Sequence, residues 1–304
     1  MNKTDMFKKL IGEPTNYAYD KSFELIKTYE HKEFTCELYR QANGIRPDGT
    51  ITYQRVMMVF PKNIVGKLPG VIVPFYYPEA AMGYNPETDE QLEKYKENPT
   101  MLDLVHHGFA VISADAYYIT YAESNLELSG FSRWRYTAEI FNSEHPEWSG
   151  IGKLIYDTKL LIDAIEQDPR IDAERLGIAG HSLGGKMAFY TGCFDNRIKA
   201  ILTSDFGLAW HQTNWSDPWY WGEKLDIAKK QKLENHMLLS SVAPKPFCLI
   251  AGEFDTDESR EILYKIEEYK DCPERLFIVN HRSGHNPPRY AREAGYLFLE
   301  KWLK

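Results

Sequence analysis

The chain has 304 residues, 43% of them hydrophobic and 26% charged, which suits a globular protein with a sizeable core. Its net charge of -8, with acids and bases interspersed, argues against a nucleic-acid partner, since phosphates call for a basic face. No apolar run reaches eighteen residues, so no membrane span is expected, and "MNKTDMFKKLIGEP" lacks the h-region of a secretory signal. The four cysteines (Cys36, Cys193, Cys248, Cys272) lie far apart without a C-x-x-C pair, which fits reduced thiols in a cytoplasmic protein.

In chain order, residues 1–45 read as an N-terminal helical extension followed by a first strand. "FTCELYR" and "TYQRVMMVF" alternate and favour strands, and Asn43-Gly44 and Asp48-Gly49 between them are turn dipeptides, so an antiparallel pair is expected. Six short apolar runs follow: 70–75, 109–114, 175–180, 199–204, 246–252 and 275–280. Helical periodicity lies between and after them, at 88–107, 151–168, 183–194, 223–238, 257–270 and 288–303. Apolar strands alternating with amphipathic helices describe a mostly parallel eight-stranded sheet with helices on both faces, in one α/β domain over 1–304. Segments 115–150 and 206–240 are too long for plain connections and read as insertions over an active site.

"IAGHSLGGKMAFY" (178–190) places G-x-S-x-G between a strand ending at Gly180 and a helix beginning at Leu183. That turn lifts the serine hydroxyl clear of the sheet and points helix N-terminal N–H groups at the same spot. Ser182 is therefore the expected nucleophile. A serine needs a base held by a third group, in the chain order Ser, acid, His. His285, in "HRSGHNPPRY" after the last strand, is the expected base; His281, four residues earlier, is the competing candidate, but it follows the strand directly and is expected to help position that loop. Asp255, in "IAGEFDTDES", is the expected acid; Asp205, after "KAILTS", is the less favoured alternative, and Asp257 caps the next helix.

The oxyanion donors expected are the Leu183 N–H and an N–H near Tyr76 or Phe75. His181 packs or bonds beside the turn and joins the substrate-side candidates. Trp210, Trp215 and Trp219, in "FGLAWHQTNWSDPWYWGEK", either form sugar-stacking platforms or plug the crossover onto the core; they are carried as substrate-binding candidates. Asp115 is expected to hold the loop after its strand, and Arg133 and Arg135 to form exposed salt bridges. No dinucleotide, P-loop, metal or other cofactor signature is present.

"GHSLGG", "GEFD" and "SGHNPP", in that order, resemble the α/β-hydrolase superfamily over about residues 50 to 304. Within it, "DPRIDAERLGIAGHSLGGKMAFYTGCFDNRIKA" resembles the dienelactone hydrolase and acetyl xylan esterase-like branch, mainly over 150–222. Dienelactone hydrolases proper use a cysteine nucleophile, so Ser182 favours ester hydrolysis. Glucuronoyl esterases, a related branch, place an arginine where Leu183 stands, so that arginine's role does not carry over. The resemblance implies a serine esterase acting on a small-molecule ester, a small acyl or carbohydrate ester, without cofactor. Peptidase, thioesterase and lactonase activities use the same machinery, and a catalytically silent binding protein is the alternative of another class. Homo-oligomerisation is left open.

Overall fold

The computed structural model describes residues 2–12, 22–62, 65–122 and 128–304. After helix α1 (Lys3–Ile11), strands β1 (Phe23–Glu30), β2 (Phe34–Ile45) and β3 (Ile51–Pro61) form an antiparallel meander. Then come β4 (Leu68–Ile72), the short helix α2 (Pro78–Met82), and a ribbon of β5 (Tyr84–Asn85) and β6 (Glu90–Gln91). Helix α3 (Thr100–His106) leads into β7 (Ala110–Ala114). Helices α4 (Tyr117–Thr120), α5 (Gly130–Glu144) and α6 (Gly150–Gln167) precede β8 (Ile171–His181), α7 (Leu183–Phe194) and β9 (Ile198–Ser204). The chain closes with α8 (Lys224–Lys230), α9 (Asn235–Ser240), β10 (Phe247–Ala251), α10 (Asp257–Tyr264), β11 (Leu276–Asn280) and α11 (Arg289–Leu303).

The main sheet runs β1-β2-β3-β7-β4-β8-β9-β10-β11. It is parallel from β7 to β11 and antiparallel across β1, β2, β3 and β7. Every residue of β7 and β10 is buried, as expected of strands covered on both faces. Alternating side chains divide between two cores. Val56, Met58 and Phe60 of β3 face the core shared with α6 and α7, and Met57 and Val59 face the one shared with α3 and α11.

Among the described residues the main sheet has nine strands rather than eight. The added strand is β1, whose residues are mostly exposed and which therefore shows no apolar alternation. Asn43-Gly44 is no hairpin turn: it lies inside β2, at the register shift between Ala42 and Gly44. The turn is made by Asp48-Gly49, with Gly49 at φ 88° and the Arg46 N–H bonded to Thr50 O. Of the helix expected over 88–107 only α3 forms, and 223–238 divides into α8 and α9. The 115–150 insertion carries α4 and α5.

Candidate active site

Strand β8 ends at His181 and helix α7 begins at Leu183, leaving Ser182 at φ 56° and ψ -116°. A non-glycine residue at that φ is strained by about 1–3 kcal/mol and persists only where its surroundings enforce it. Here the glycines enforce it. A Cβ at Gly180 would lie 2.1 Å from Gly184 O, and one at Gly184 would lie 2.1 Å from Pro74 O. Strand, helix and the loop after β4 therefore converge more closely than any side chain permits. The Ser182 N–H is pinned to Ser204 O on β9 at 2.8 Å.

His285 sits in the loop after β11. Its Nε2 is 2.9 Å from Ser182 Oγ, and its Nδ1 is 2.7 Å from Asp205 Oδ2. An ionised carboxylate only accepts, so Nδ1 carries the hydrogen and Nε2 is left to accept from the serine hydroxyl. The Phe254 ring meets His285 edge-on at 4.9 Å, and the His181 ring lies 4.5 Å away.

The carboxylate that holds His285 is thus Asp205, and the expectation for Asp255 is corrected. Asp205 follows β9 directly, with φ 42° and a buried side chain. It accepts the N–H groups of Gly252, Glu253, Phe254 and Asp255 at 3.2, 3.1, 2.8 and 2.9 Å. Burial opposes its charge, but the bonds from His285, Asp255 and Phe254 prevail and hold the carboxyl below its usual range. Asp255 is spent elsewhere. Fully buried, it accepts the N–H groups of Phe206, Gly207 and Leu208 and the Ser259 hydroxyl. Burial, the largest influence on Asp255, raises its carboxyl pKa.

A cleft of ≈ 210 Å³ opens over Ser182 and His285, walled by Phe75, Tyr76, Tyr95, Asn98, His181 and Asn286, with Lys94 at its side. Leu183 and Tyr76, the expected oxyanion positions, stand on the two segments that meet at the Gly184–Pro74 contact. His181 Nδ1 is 3.1 Å from Ser204 Oγ. Burial, with His285 beside it, pushes the His181 pKa down to about 3, so this cleft-lining imidazole is neutral. His281 ties its own loop, its Nδ1 accepting the Ser283 N–H at 3.2 Å.

The tryptophans are core. Trp210, Trp215 and Trp219 are buried and line no part of the cleft. Trp210 Nε1 donates to Leu233 O at 2.7 Å and Trp215 Nε1 to Gly207 O at 2.8 Å, so both fasten the 206–240 crossover. Asp115 holds Arg55 through two bonds, and Arg55 also grips Glu79 beside the cleft loop. Arg135 pairs with Asp217 at 3.4 Å, and Arg133 donates to Ile119 O at 2.9 Å.

Lys186, which is not among the sequence candidates, stands one helical turn beyond Ser182. Its ammonium faces the rings of Trp215 and Tyr220 at 4.9 and 5.0 Å, and burial pushes its pKa down to about 7. The available signal was the four-residue spacing from Ser182. No cluster of three or more His, Cys, Asp or Glu placed to hold a metal occurs among the described residues.

A glucuronoyl esterase from Solibacter usitatus superposes on this structure with a TM-score of 0.72 at 12% identity, covering 99% of this chain and 91% of that one. The chain has the α/β-hydrolase fold. The family model "Glucuronyl esterase, fungi" matches residues 99–212, a stretch that includes Ser182 and Asp205. YtaP of Bacillus subtilis (strain 168), named as a hydrolase, is 25% identical over 274 residues, spanning 81% of this chain and 82% of its own. The carbohydrate esterase MZ0003, from an unknown prokaryotic organism, is 21% identical over 193 residues, spanning 53% of this chain and 45% of its own length. No described helix is long and apolar enough to cross a membrane.

Proposed function

We propose that this protein is a serine carboxylic ester hydrolase acting on carbohydrate esters, with Ser182 as nucleophile, His285 as base and Asp205 as the acid that orients it. The observation that carries this reading is the hydrogen-bonded row Ser182–His285–Asp205 at the floor of an open cleft. The glucuronyl esterase family model and the carbohydrate esterase relative support the substrate class.

The chemistry follows from the row. As Ser182 Oγ attacks the ester carbonyl carbon, its proton passes to His285 Nε2, and the buried Asp205 carboxylate stabilises the imidazolium. The Leu183 N–H and an N–H at Tyr76 receive the oxyanion. Collapse expels the alcohol, which takes the proton from Nε2. Water then repeats the sequence on the acyl-serine, giving the free acid and restoring the Ser182 hydroxyl. The cleft of ≈ 210 Å³ is smaller than the roughly 300–1,000 Å³ usual for ligand pockets, which favours a small acyl group or one sugar ring. Cys36, Cys193, Cys248 and Cys272 are unpaired, which fits a reducing, cytoplasmic setting.

The test is hydrolysis of aryl esters from acetyl to octanoyl, together with a uronate methyl ester, by the protein and its Ser182→Ala variant. Turnover confined to short acyl groups or the uronate ester, and lost in the variant, is the expected result. Equal turnover by the variant rejects the reading.

A further inference from the structure

We propose that the exposed aromatic end of α5 is an outer subsite for a pyranose ring of an extended carbohydrate chain, with Phe131 as its platform. Phe131 is 63% exposed. Its ring lies parallel to that of Trp219, 5.8 Å away with planes 7° apart, and meets Trp134 edge-on at 4.8 Å. Trp134 in turn packs at 4.8 Å on Tyr76, a wall of the serine cleft. The rings Tyr76, Trp134 and Phe131 therefore form an unbroken row from the reacting centre to solvent.

The dimensions of the cleft and the chemistry of the row together name the occupant. A cleft of ≈ 210 Å³ takes about one sugar ring, so any longer carbohydrate continues over its rim. A pyranose offers a flat C–H face to an aromatic ring and a rim of hydroxyls to polar groups. Phe131 supplies the flat face, backed by Trp219. Arg135, which lies over the Trp219 ring at 5.7 Å and pairs with the Asp217 carboxylate, supplies polar partners at the edge. The exposed Phe131 ring is bounded by the Arg135–Asp217 ion pair and continuous with the cleft, the apolar face and polar rim that a ligand groove presents.

This subsite deepens the ester-hydrolase reading and takes its purpose from it, but its test is binding, which needs no turnover. Xylohexaose and cellohexaose are titrated calorimetrically into the full chain carrying Ser182→Ala, with and without Phe131→Ala or Phe131→Tyr. At least one hexaose binds, Phe131→Ala weakens it about tenfold, in line with the loss of one stacked ring, and Phe131→Tyr retains it. An unchanged melting temperature for Phe131→Ala verifies the fold. Equal affinity in the alanine variant, or binding of neither hexaose, overturns the subsite even if the protein hydrolyses aryl acetates. Phe131-dependent binding by a chain that hydrolyses no ester upholds the subsite and rejects the esterase reading.

Discussion

The Asp205 carboxylate accepts the N–H of Asp255 at 2.9 Å, and the Asp255 carboxylate accepts the N–H of Phe206, the residue after Asp205, at 2.7 Å. Each aspartate orders the turn that follows the other's strand. Only Asp205 also reaches His285. The two carboxylates thus share a scaffold and differ in task, and substitution separates them.

Asp205→Asn leaves a near-isosteric side chain but removes the acceptor that fixes the His285 tautomer. A loss of roughly 10³–10⁴ in kcat is expected, together with a stability cost of about 1–3 kcal/mol, since the new amide N–H₂ faces a backbone N–H that the carboxylate accepted. Asp255→Asn instead places an amide N–H₂ among four donors and costs about 2–3 kcal/mol of stability. Paired kinetics and thermal melts check this; a kcat collapse in Asp255→Asn with an unshifted melt reverses the assignment.

Ser182 holds φ 56° against the preference of any side chain. Ser182→Gly relieves that strain at the cost of some unfolded-state entropy, so a net gain of about 1 kcal/mol is expected alongside complete loss of turnover. Urea unfolding of the two proteins gives the number. A glycine variant less stable than the parent contradicts the strain argument.

His181 has its pKa lowered to about 3 in the fold, against about 6.5 unfolded. Between those values the unfolded chain binds a proton that the folded chain refuses, so stability falls as pH drops through this window. His181→Asn removes the contribution, which reaches up to about 1.4 kcal/mol per pH unit. Unfolding midpoints at pH 7 and pH 5 are to be compared. A parent and variant with equal pH slopes exclude His181 as the source.

Trp215 is buried in the crossover and carries the turn after Asp205 through its bond to Gly207 O. Trp215→Ala is expected to cost about 3–5 kcal/mol as a large-to-small core change. A substrate platform behaves otherwise, raising KM while leaving the melt in place. Measuring both decides between them.

The parallel frame, the Ser182 turn and the placement of His285 beside it were legible in the sequence because apolar runs, paired glycines and loops at strand ends record local geometry. The acid was not. Asp205 and Asp255 both follow buried strands, and nothing local says which carboxylate is consumed by backbone N–H groups and which is left for an imidazole. The cleft walls Tyr95 and Asn98 were hidden for another reason: their segment has helical spacing, yet its residues turn around a two-stranded ribbon before α3 begins. The tryptophans misled because stacking platforms and core plugs share a composition, and only burial distinguishes them. Strand β1 escaped because a sheet-edge strand with little to bury leaves no alternation to read.

Ser182 and Asp205 stand at the ends of adjacent strands β8 and β9, clasped by the bond from Ser182 N–H to Ser204 O. His285 hangs from the loop after β11, the outermost strand on that side, whose residues are nearly all partly exposed, and Gly284 beside it takes φ 91°. Sheet margins open locally at lower free energy than sheet centres. Warming is therefore expected to free the His285 loop while Ser182 and Asp205 remain in register, so the activity proposed above fades below the melting transition and returns on cooling.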